Sequence, residues 1–185
     1  MMMKSHIIIS KSLLENTDAN KQFFLDSKNF IYGNIKPDIV SNKLKKHYLD
    51  ESYDMVRQKI NFLSSLNLDN LYQYYTRAGL SQEIGVVCHF LTDFFCLAHS
   101  ERWEFKHSMK IHIQYERNLT KVAKDYKIIN DRQQYLEGFD AFFDKLYSEY
   151  KSNGKFEEND LKQAVIKYNH YRRSQDRNNL QEPIK

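Results

Sequence analysis

The strongest constraint on this chain lies between Gly85 and Leu97. There an apolar run, GVVCHFLTDFFCL, carries two groups that do not belong in oil, His89 and Asp93. The run sits in a helical pattern over 81–98 that is apolar almost all round, as befits a helix enclosed by others. His89 and Asp93 are four residues apart, so they share one helix face, one turn apart. A buried aspartate without a partner is costly, and a bound cation is the natural partner. The same ligand types recur downstream. His112 and Glu116 are also four apart, and His99 lies between the two pairs. Imidazole nitrogen and carboxylate oxygen are donors that zinc accepts. Taken singly, either pair is an ordinary i,i+4 helix pair. The apolar setting of the first pair is what points to a metal, and the five groups together have the makings of a polynuclear centre.

The rest of the chain reads as helix. Glycine (5) and proline (2) are scarce among 185 residues, while helix-forming residues fill long spans. The expected architecture is all-α: a single-domain multi-helix bundle over 1–185, with a frayed polar tail over 174–185. Helical patterns cover 5–15, 20–32, 51–66, 69–77, 81–98, 103–126, 131–152 and 157–173. The second is expected to stop at Gly33, leaving GNIKPD as the clearest loop, with Asp38 just after Pro37. The segment 42–50, which contains His47-Tyr48-Leu49-Asp50, reads as lysine-rich and exposed. His107 is off the face of the His112–Glu116 pair, and His170 lies in a basic surface stretch.

Net charge is +4 with mixed signs along the chain, which is no footprint of nucleic-acid binding. The apolar runs are too short to cross a bilayer. The amino end, MMMKSHIIIS, shows no cleavage site, so the expectation is a cytoplasmic protein without a signal peptide. Cys88 and Cys96, about 12 Å apart along one helix, cannot form a disulfide there. They lack the CxxC spacing of a thiolate zinc site and read as core.

With the whole ligand set assembled, the sequence resembles the bacterial zinc-dependent phospholipase C family over 6–116. The matching elements are His6 in KSHIII, Asp38 in GNIKPD and His47 in HYLD. They continue with His89 and Asp93 in HFLTD, His99 in LAHS, and His112 and Glu116 in HIQYE. The resemblance implies two or three zinc ions. Residues matching Asp38, His47, His89 and Asp93 hold one. Those matching His99, His112 and Glu116 hold a second. A third is held by the His6 and Asp93 equivalents with the amine and carbonyl of an N-terminal tryptophan that signal-peptide removal exposes. This chain begins MMMKSH, with no tryptophan there. The family's secreted toxins also carry a membrane-binding β domain, for which this chain is expected to have no room.

Such a cation cluster acidifies water and binds phosphodiester oxygens during in-line attack. Asp38 is the candidate to orient or deprotonate that water. The expected substrate is a phospholipid or smaller phosphodiester, giving diacylglycerol and a phosphorylated headgroup. Tyr48 is one aromatic that could flank a choline group. Two other readings compete: an S1/P1-like zinc nuclease, and a non-catalytic helical module with structural zinc.

Overall fold

The computed structural model describes residues 1–17, 23–40, 47–103, 109–125 and 138–153, and all regular structure among them is helical. Eight helices are described: α1 Met3–Glu15, α2 Ser27–Ile39, α3 Leu49–Ser65, α4 Leu68–Tyr74, α5 Arg77–Phe94, α6 Leu97–Ser100, α7 Met109–Asp125 and α8 Phe139–Asn153. The all-α class is therefore as expected. The chain divides into two compact units, Met1–Ser148 and Glu149–Lys185, and the second is described only over its first five residues, 149–153. The expected helix over 157–173, the tail, His107 and His170 lie outside the described residues. No described helix is long and apolar enough to cross a membrane.

Helix α5 is the axis of the larger unit. Thr76 caps its start, its hydroxyl accepting from the Gly79 N–H at 3.1 Å. One side of α5 meets an apolar core in which Val86, Val87, Phe90 and Phe94 pack with Val56 of α3 and Phe143 of α8. Phe143 stands edge-on to Phe94, with ring centroids 6.2 Å apart, and stacks on Tyr147 at 5.7 Å.

Helix α2 corrects the expected loop. Asp26 caps it by accepting from the Asn29 N–H at 2.9 Å, and the helix then runs through Gly33 and Pro37 to Ile39. Gly33 is a contact point here rather than a stop. A Cβ on Gly33 would lie 2.2 Å from the Gln82 carbonyl oxygen, and one on Gly85 would lie 2.4 Å from that of Phe30. The two glycines let the α2 and α5 backbones meet closely, which is worth more than the local helix penalty of glycine. Asp38 therefore sits in the last turn of a helix.

Two more boundaries shift. The long helix expected over 81–98 ends at Phe94, after which Cys96 is extended (φ −97°, ψ 118°) and the one-turn α6 begins. His47 and Tyr48 are not exposed as expected. The Tyr48 ring is buried beneath the Arg102 guanidinium, 4.2 Å from its centroid, and His47 points inward. Arg102 itself turns the chain with a left-handed φ of 51° and is tied to Asp50 at 2.5 Å.

Candidate metal centre

Asp93 is the hub. Its carboxylate is fully buried on α5 and its two oxygens face different neighbours. Oδ2 lies 2.7 Å from His47 Nδ1 and 3.2 Å from His89 Nε2. Asp38 Oδ1 stands 3.7 Å from each of those same two nitrogens. Oδ1 lies 3.3 Å from His6 Nε2, 3.9 Å from His99 Nε2 and 2.7 Å from the Met1 amine. Across from it, Glu116 Oε1 gathers His99 Nε2 at 3.3 Å, His112 Nε2 at 3.1 Å and the Met1 amine at 3.4 Å. The Met1 amine also contacts His99 Nε2. All eight residues expected from the sequence thus converge, drawn from α1, α2, the entry to α3, α5, α6 and α7.

The spacings fit a metal. Donors at 2.0–2.2 Å around a tetrahedral zinc stand about 3.4 Å from one another. The nearest-neighbour distances here, 2.7 to 3.7 Å, bracket that edge. Three sets have donor atoms mutually within 4.8 Å: His6, His89 and Asp93; Asp38, His47 and His89; Cys96, His99 and Glu116. His89 is oriented for such work. Its Nδ1–H donates to the Asn34 carbonyl at 2.6 Å, so Nε2 presents a lone pair to Asp93 and Asp38. His6 is fully buried, stacks on His89 with centroids 4.0 Å apart, and has no hydrogen bond at either ring nitrogen. A buried imidazole left without hydrogen bonds beside a carboxylate is what a ligand position looks like.

The decisive comparison is with a family. The chain matches the model described as zinc dependent phospholipase C over residues 5–157, a span that holds all eight residues. The chain belongs to that family. Searches of curated proteins and of solved structures return no match.

The electrostatics suit a zinc-dependent phospholipase C centre. Burial pushes the Asp93 carboxyl upward, but the Met1 ammonium and the histidine contacts outweigh it and hold the group well below the ordinary carboxylate range. Burial likewise opposes ionisation of Glu116. His99, the Met1 ammonium and His112 nevertheless pull it down to about 2. Burial lowers the affinity of the Met1 amine for its proton, yet Asp93 and other anionic neighbours raise it to about 10. Burial holds the His6 imidazole below its ordinary value, against the pull of Asp93, and so favours the neutral form a metal takes. The cluster is therefore built around anionic carboxylates that call for compensating cations.

Three participants were not expected from the sequence. The Met1 amine is one, since only a tryptophan was looked for at that position. Asn34 is another, because its carbonyl acts only through helix packing. Cys96 is the third neighbour: it is buried, as a core residue would be, and its sulfur lies within 4.8 Å of donor atoms of His99 and Glu116. The proposed role of Tyr48 against a choline group is corrected, because Arg102 covers its ring. The aromatic cavity lined by Phe23, Phe24, Tyr72 and Tyr75 includes none of the eight residues.

Proposed function

We propose that this chain is a phospholipase C-like phosphodiester hydrolase, cleaving a phospholipid to diacylglycerol and a phosphorylated headgroup. The observation that supports it most is the split of Asp93: one carboxylate facing two donor sets at zinc-ligand spacing, in a chain of the phospholipase C family. Asp38, His47, His89 and Asp93 would hold one ion. His99, His112 and Glu116 would hold a second, and His6 with Asp93 a third. When bound, the dications acidify the attacking water to near neutrality and offset the charge gained by the phosphodiester oxygens.

The remaining work falls to the chain itself. The Asp38 side chain is about one-fifth exposed, against none for Asp93, so it is the carboxylate that an incoming water can reach. It would orient that water and accept its proton. The Asn34 carbonyl fixes the His89 tautomer and keeps Nε2 turned to the centre. The apolar helices around Phe90 and Phe94 limit water behind the cluster.

The test pairs metal content with hydrolysis. Protein purified without chelator should hold about two or three zincs per chain. It should also release phosphorylated headgroup from a choline phospholipid, and chelator should stop it. Cleavage of single-stranded DNA with the lipid untouched would replace this reading with the nuclease one. Bound zinc with no turnover of either would leave a structural module.

A further inference from the structure

We propose that Cys96 is a thiolate ligand to the cation that His99 and Glu116 hold, making this half of the centre a mixed sulfur, nitrogen and oxygen site. The inference rests on the cation-binding reading above and adds to it a donor that the expected ligand set lacks.

Cys96 is almost fully buried, and its sulfur falls within 4.8 Å of donor atoms of His99 and Glu116. The local backbone holds it there. After α5 ends, Cys96 is extended, and its carbonyl accepts the His99 N–H at 2.9 Å and the Ser100 N–H at 2.8 Å. The hydrogen-bonded turn therefore fixes thiol and imidazole three residues apart beside one another. The fully buried His6, without a hydrogen bond at either ring nitrogen, aims at the adjoining Asp93 oxygen and marks the same interior as a ligand site.

The chemistry is specific. A dication in contact with sulfur removes the thiol proton outright. The balanced step is loss of the S–H proton to solvent as the sulfur–metal bond forms, so metal uptake releases a proton from this residue. A thiolate among imidazole and carboxylate donors favours zinc, cobalt or cadmium over magnesium or calcium. Cys88 is the natural control. It lies on α5 and belongs to none of the three donor sets.

Cobalt(II) is the probe, because a thiolate ligand gives it an intense near-ultraviolet charge-transfer band. The chain has two cysteines, so Cys88→Ser leaves Cys96 as its sole thiol. Full-length wild type and Cys88→Ser, loaded with cobalt, should both show the band. Cys96→Ser should lose it, and its zinc affinity should fall about tenfold or more, at least what loss of a supporting partner costs. If Cys96→Ser does not fold, the Cys88→Ser spectrum decides alone. Cobalt bound to Cys88→Ser without the band overturns the thiolate and leaves the cation centre standing. A chain that takes up neither cobalt nor zinc overturns both.

Discussion

The two oxygens of Asp93 look onto unlike halves of one centre. On the Oδ2 side, Asp38, His47 and His89 come from the end of α2, the entry to α3 and the middle of α5. Their geometry is set by helix packing. The glycine contact between α2 and α5 brings the Asn34 carbonyl onto His89, and that single bond fixes which nitrogen faces inward. On the Oδ1 side, a one-turn helix, the amino end and α7 meet around Glu116. Charge holds this half together: Glu116 gathers His99 and His112 at 3.3 and 3.1 Å, and its carboxyl is lowered to about 2. The contrast teaches that one cluster can be preorganised in two ways, by backbone contact on one flank and by mutual ionisation on the other.

Asp93→Asn breaks both halves at once. It keeps the shape but removes the charge shared by every neighbour. Zinc affinity should fall by about 100-fold or more, beyond what loss of a supporting hydrogen bond costs, and hydrolysis should vanish with it. Elemental analysis of the purified variant checks this, and full zinc occupancy would end the bridging assignment.

Gly85→Ala strikes the packed half alone. Its methyl would sit 2.4 Å from the Phe30 carbonyl oxygen and 2.9 Å from the Asn34 nitrogen, both backbone atoms that cannot swing aside. Overpacking of this kind costs about 1–3 kcal/mol. At this size each kcal/mol lowers the melting temperature by about 2–4 °C. The same strain should draw the Asn34 carbonyl off His89 and weaken metal binding there. A thermal melt unchanged from wild type would show that the two helices can part freely.

Acid should open the charged half gently. The Glu116 carboxyl ionises at about 2 in the fold against an ordinary 4.5. Its folded value is depressed, so its stabilising contribution is fully present above pH 4.5 and is lost as pH falls toward 2. Unfolding followed by circular dichroism between those limits should show declining stability. In Glu116→Gln the decline over that window should be shallower, and an equal slope in both proteins would remove Glu116 from the account.

Much of the centre was legible before the fold. Four-residue spacing and a carboxylate inside an apolar run singled out His89, Asp93, His99, His112 and Glu116, and the resemblance to the phospholipase C family added His6, Asp38 and His47. The misread parts share one cause. Gly33 and Pro37 look like a loop because their local signal is a helix stop, and only the approach of Gln82 reveals Gly33 as a contact. His47-Tyr48 looks exposed because its neighbours are lysines, whereas Asp93 and Arg102 draw it in. Cys96 reads as core and is buried, and only the fold shows its sulfur near His99 and Glu116, because Glu116 is distant in sequence.

The sequence by itself determined that the chain would be helical, that it would carry zinc-type donors, and that Asp93 would be buried. Those properties follow from side-chain chemistry and from periodicity along a single helix. The tertiary structure alone decided which donors share an oxygen, how His89 is turned, and that Met1 and Cys96 lie beside the cluster. Those outcomes depend on backbones meeting across tens of residues, and no local pattern records such a distance.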